Sequence, residues 1–156
     1  MAKRSARTKP RARHAPERRY SVDASVFVNA FNPHETGHAA SLAALTAIQE
    51  GGDPIIVPTL VLAEVASAVA RASDDTAGAM EYVDAIAALP NVTLVTMTPA
   101  VARQAADLAA AHRLRGADAV YVAVSLRYGT VLVTRDGEQL RRGSAAVTCR
   151  TPERVE

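Results

Sequence analysis

Apolar runs of only a few residues alternate along this chain with longer helical stretches, and that alternation leaves few folds open. Residues 19–22, 55–57, 91–97, 130–134 and 147–150 read as strands, rich in Val, Ile, Leu and Thr. Between them the sequence predicts helices over 24–31, 38–50, 60–71, 76–89, 99–112 and 117–128. The punctuation agrees: Asn32-Pro33 and Gly51-Gly52 end helices, Thr98-Pro99 fits an N-cap and first helical position, and Gly116 and Gly129 separate elements. Strands joined through helices run parallel and need cover on both faces, so the expected fold is α/β, a three-layer α/β/α domain with a mainly parallel central sheet. At 156 residues the chain suits one domain, which buries roughly 68–70% of its unfolded surface without disulfide or zinc support. Ligands in such folds sit beyond the carboxyl ends of the strands.

Charge divides the chain in two. Lys3, Arg4, Arg7, Lys9, Arg11, Arg13, Arg18 and Arg19 face a single acid, Glu17, giving the first 19 residues a formal +7 within a total of +2. The remainder is therefore acidic, about −5, and contains no Lys. Residues 1–18 are expected to be a basic disordered leader, able to hold phosphate backbones non-specifically or simply to be solvated, ahead of a folded domain over 19–152. The single Cys149 cannot form an internal disulfide. No apolar run reaches the roughly 18 residues of a membrane span, and the N-terminus lacks a signal-peptide core, so a cytoplasmic protein with no membrane partner is expected.

Four carboxylates stand near where the crevice would be. Asp23 follows the first strand, Asp136 follows Val131-Leu132-Val133-Thr134, and Asp118 lies in the first turn of its helix. Each has an ordinary reading as well: a helix cap, an Asp-Gly turn, and a complement to the helix dipole. Glu64 is less easily explained, because it interrupts Leu60-Val61-Leu62-Ala63 and Val65-Ala66-Ser67-Ala68-Val69, a stretch apolar nearly all round and expected to be buried. A buried carboxylate must be protonated, paired with a cation or bound to a metal, and positions 60, 61, 67 and 68 offer no Lys or Arg. Gathered at one sheet edge, four such groups repel unless cations sit among them, and all-oxygen ligation favours Mg²⁺ or Mn²⁺ over zinc. The pattern reads as a phosphoryl-transfer site.

Val22-Asp23-Ala24-Ser25, Leu62-Ala63-Glu64-Val65, Gly116-Ala117-Asp118-Ala119-Val120-Tyr121-Val122-Ala123 and Leu132-Val133-Thr134-Arg135-Asp136 resemble the four acidic motifs of a PIN-domain nuclease, most closely the VapC toxins of prokaryotic toxin–antitoxin pairs. The likeness spans about residues 20–150 in the family's order and spacing. It departs at Gly137-Glu138-Gln139-Leu140, where an aromatic residue often follows the last motif, and in the basic leader. The resemblance implies that Asp23, Glu64, Asp118 and Asp136 hold one or two Mg²⁺ or Mn²⁺ ions, with Ser25 and Thr134 as supporting hydroxyls. It further implies hydrolysis of structured RNA such as tRNA, leaving a 5′-phosphate and a 3′-hydroxyl, a homodimer, and a cognate VapB-like antitoxin covering the crevice. Arg71, Arg113, Arg115 and Arg135 are candidates to grip the RNA backbone.

Two rival readings use the same residues. His34-Glu35-Thr36-Gly37-His38 spells the zinc-protease signature, with Glu50 or Glu64 as a third ligand, but Pro33 and Gly37 oppose the helix that signature needs. The acids could instead belong to a receiver-like or phosphatase-like pocket, or to a catalytically silent PIN-fold module that binds RNA or protein. Retention of all four acids favours catalysis, and a body without Lys disfavours a phosphatase.

Overall fold

The computed structural model of the protein describes residues 18–155. The leader expected over 1–18 lies, apart from Arg18, outside them. Five strands form one sheet: β1 (Tyr20–Val22), β2 (Ile55–Pro58), β3 (Val92–Val95), β4 (Val131–Val133) and β5 (Cys149–Arg150), in the order β3-β2-β1-β4-β5. Every pairing among them is parallel. The intervening helices are α1 (Ala24–Phe31), α2 (His38–Gly51), α3 (Leu60–Ser73), α4 (Thr76–Ala87), α5 (Pro99–His112), α6 (Gly116–Tyr128) and α7 (Gly137–Gly143), and a 3-10 turn over Pro152–Arg154 follows β5. The first four helices pack on one another, and the last three form a second group against the sheet, which gives the three-layer α/β/α fold.

The strands are short; the central ones, β1, β2 and most of β4, are buried, and the edge strands β3 and β5 are largely part-exposed. Val22, Val57, Leu132 and Val133 are all inaccessible, as the short all-apolar runs require when both faces are covered. Ser21 is the polar exception. Its hydroxyl donates to the Ile56 carbonyl at 2.6 Å and shares a hydrogen bond with Thr130 at 2.8 Å, so the buried polar atoms satisfy each other across neighbouring strands.

Two expectations about helices need correction. The Glu64 helix, α3, is not buried all round: Val61, Val65 and Val69 form a single buried stripe, whereas Ala63 and Ser67 are exposed. Small Ala side chains carry too little apolar surface to oblige a helix face inward, so the β-branched stripe alone sets the orientation. The buried helix is instead α6, in which every residue from Asp118 to Ser125 is buried, because it packs on α5 while also touching β1, β2 and β4. Helix α7 was not expected at all. Asp136-Gly137 suggests a turn, yet Asp136 caps a helix, its Oδ1 accepting the Glu138 and Gln139 amides at 2.8 Å each. The Asp-x-x-Gln spacing of a capping box was the available signal.

Candidate active site

Register brings the first two acids together. β1 and β4 pair as Tyr20 with Val131, Ser21 with Leu132 and Val22 with Val133, so Asp23 and Thr134 leave the sheet side by side at its carboxyl edge. Asp23 donates its amide to the Val133 carbonyl at 2.9 Å and caps α1, Oδ2 accepting the Ser25 amide at 3.0 Å. Thr134 Oγ1 donates to the same Oδ2 at 3.3 Å and accepts the Asp136 amide at 3.0 Å. Ser25 Oγ accepts the Arg135 amide at 3.1 Å. The two hydroxyls thus tie the turn after β1 to the turn after β4.

Helices supply the other two. Asp118 projects from the first turn of α6 and Glu64 from the second turn of α3, and with Asp23 and Asp136 they line one cleft of about 570 Å³, together with Ser25, Arg71 and Arg115. All four acids expected to converge do so. Glu64 accepts a 2.7 Å hydrogen bond from the hydroxyl of Tyr121, which is inaccessible inside α6. Arg115, the residue before α6, donates from Nε to Asp118 Oδ2 at 2.8 Å and from Nη2 to Asp136 Oδ2 at 2.5 Å.

The electrostatics divide the acids. Burial pushes the Asp23 carboxyl up, against hydrogen bonds from Ser25 and Thr134 and with the charge of Asp118 adding to the rise. Burial likewise raises Glu64, against the Tyr121 hydrogen bond and with the charges of Asp23 and Asp118 adding to the rise. Burial also raises Asp118 despite Arg115. Asp136 goes the other way: burial would raise it, but the Gln139 amide, Arg115 and the Glu138 amide together hold it below the usual range. Three of the four carboxylates are thus raised chiefly because the fold takes them out of water.

A hard divalent cation is the species this donor set fits, since the donors are carboxylate and hydroxyl oxygens and four carboxylates outnumber the guanidiniums of Arg71 and Arg115. Among the described residues no three His, Cys, Asp or Glu side chains are grouped to hold a metal ion as they stand. Arg115 is interposed between Asp118 and Asp136, and Tyr121 engages Glu64.

The remaining candidates fare differently. Arg71 and Arg115 line the cleft. Arg135 does not reach into it but bonds Glu153 at 3.1 Å and the Thr36 carbonyl, and Arg113 closes α5 in a left-handed conformation while its carbonyl accepts from Arg142. The protease signature is not realised: His34 and Glu35 sit in the turn before α2 and only His38 is helical. Asn29, buried in α1, organises that turn instead. Its Nδ2 donates to Glu35 and to the Thr36 carbonyl, its carbonyl lies 3.1 Å from His38 Nδ1, and Ser41 donates to its Oδ1. Tyr121 and Gln139, whose Nε2 approaches the Asp118 carbonyl at 3.4 Å, are the site-building residues that periodicity alone did not single out.

Parallel strand order and an acidic cleft at the carboxyl edge define a class of α/β domain, and the comparisons place the chain within it. The family model for the PIN domain matches residues 20–144; the chain belongs to the PIN-domain family. Among solved structures it is similar to VapBC2 from Rickettsia felis bound to a promoter DNA fragment (15% identity over 85% of this chain and 97% of that one, TM-score 0.65). It is also similar to VapC20 from Mycobacterium tuberculosis, described as a sarcin-ricin loop cleaving toxin (20% identity, 78% and 93% covered, TM-score 0.66), and to FitAcB from Neisseria gonorrhoeae (18%, 86% and 99%, TM-score 0.63). No curated protein matches it.

Proposed function

We propose that the protein is a metal-dependent endoribonuclease of the VapC type, restrained by a cognate antitoxin and working as a homodimer. The observation that carries this reading is the convergence of Asp23, Glu64, Asp118 and Asp136, from four separate segments, on one cleft. The kinds of protein whose fold it shares support it: one is described as cleaving the sarcin-ricin loop, and another is a toxin–antitoxin complex.

In this reading the four carboxylates hold Mg²⁺ or Mn²⁺. The bound ion would polarise the phosphate and lower the pKa of attacking water. The chain's own groups fix the geometry. Thr134 and Ser25 lock the two strand-end turns so that Asp23 and Asp136 keep their separation, and Tyr121 keeps the Glu64 carboxylate aimed into the cleft. Arg71, two turns along α3 from Glu64, makes no ion pair with another described residue and offers its charge to a phosphodiester backbone on the cleft wall.

The test is cleavage of total tRNA and of ribosomal RNA by purified protein with Mg²⁺ or Mn²⁺, against EDTA and against Asp136→Asn, with product ends mapped. Metal-dependent cuts leaving 5′-phosphates, lost in the variant, are expected. Tight RNA binding without cleavage at any metal concentration would make the protein a silent binding module.

A further inference from the structure

One guanidinium spans two of the four acids, and its surroundings differ from theirs in a telling way. The Arg115 side chain is 59% exposed, whereas Asp118 is 11% and Asp136 29% exposed. The acids are also anchored independently of it: Asp136 by the Glu138 and Gln139 amides, Asp118 by its place in the buried helix α6. A long side chain thus reaches from the cleft mouth into a fixed frame of carboxylates, and it can withdraw without opening the core.

We propose that Arg115 is a displaceable counter-ion: it holds the position between Asp118 and Asp136 that a divalent cation takes when the cleft is loaded, and it moves to the rim as the ion enters. This rests on the reading that the cleft binds such an ion. Arg115 and Arg71 bring two positive charges to four carboxylates, and an ion of twice the charge of Arg115, seated between Asp118 and Asp136, offsets more of their repulsion. Withdrawal of Arg115 loses two part-exposed ion pairs, a modest cost. Glu138, whose Oε1 pairs with Arg142 at 2.8 Å, has its Oε2 3.8 Å from the Arg115 Nε and gives the released guanidinium a shared carboxylate at the rim.

The experiment is calorimetric titration of Mn²⁺ into the wild-type protein and into Arg115→Ala, Arg115→Lys and Asp118→Asn, without RNA and at fixed pH and ionic strength. Arg115→Ala should bind Mn²⁺ about tenfold more tightly, the worth of two part-exposed ion pairs. Arg115→Lys, which keeps the charge but not the two-pronged geometry, should fall between, and Asp118→Asn should lose binding. On the wild-type protein, the Arg115 Nε–H NMR signal should shift or broaden as Mg²⁺ is added, a readout that needs no variant to fold. Equal or weaker binding by Arg115→Ala while Asp118→Asn still loses it, or an Nε–H signal unmoved at saturating Mg²⁺, would overturn the counter-ion role and leave the metal site standing. No Mn²⁺ binding by any form would overturn the metal reading and this inference with it.

Discussion

A phenol, not a cation, accompanies Glu64. Read as buried, Glu64 calls for a proton, a cation or a metal; the structure leaves it part-buried on α3 and gives it the Tyr121 hydroxyl, 57 residues away, a partner that no helical spacing discloses. Tyr121→Phe removes that donor without changing shape, so the protein should lose about 1–2 kcal/mol in denaturant unfolding, the usual cost of stranding a part-buried acceptor. Cleavage by this variant should fall more through metal affinity than through turnover at saturating Mn²⁺, which titration of activity against metal separates. Asp136→Asn should abolish cleavage yet stay within about 1 kcal/mol of wild-type stability, because Asn caps a helix as well as Asp does; thermal unfolding with and without metal checks it. The pKa shifts fix a sign as well. Asp23, Glu64 and Asp118 are raised in the fold, so the folded state takes up their protons before the unfolded chain does. In EDTA the melting temperature should therefore rise as pH is lowered from neutrality towards the ordinary carboxylate range. Below that range it should fall, as Asp136 and Glu153, both held low, lose their charge and the stability it brings.

At the level of elements, strands and helices were legible where β-branched runs, Gly and Pro marked them, and all five strands lie where alternation put them. Helix α7 was obscured because Asp136-Gly137 satisfies turn chemistry and capping chemistry equally, and only the Gln139 at the third position favours the second. Strand ends made Asp23 and Asp136 legible, while Glu64 and Asp118, both on helices, were joined to them by the motif resemblance. The contacts that Arg115 and Tyr121 give them were not legible, since those depend on how α6 seats against the sheet. The turn before α2 shows a similar limit, because a protease-like string of residues serves there as a brace. Gly37 adopts a φ of +88° and lies directly under the Arg135 guanidinium, which any Cβ would strike. Gly37→Ala should cost about 1–3 kcal/mol, combining backbone strain with displacement of Arg135 from Glu153. Since Arg135 directly precedes Asp136, the same variant should lower cleavage activity, measured alongside its melting temperature.

For the molecule as a whole, charge separates from fold. The proposed leader and the 19–152 domain differ in sign, and the cleft depends only on described residues from Asp23 onward. Deleting residues 2–17 should leave the melting temperature unchanged and weaken RNA binding mainly at low salt, flattening the salt dependence of affinity; a large loss of stability would show that the leader packs on the domain. Strand order carries a further consequence. β1, the first strand made, lies at the centre of the sheet, and its neighbour β4 begins 111 residues after β1 does. Three of the four acids are synthesised before β4 exists, yet Asp136 and the Thr134 brace on Asp23 arrive only with it. The cleft is thus completed late in translation, with only α7, β5 and the closing turn still to come, and a growing chain carries no assembled site until most of the domain has emerged.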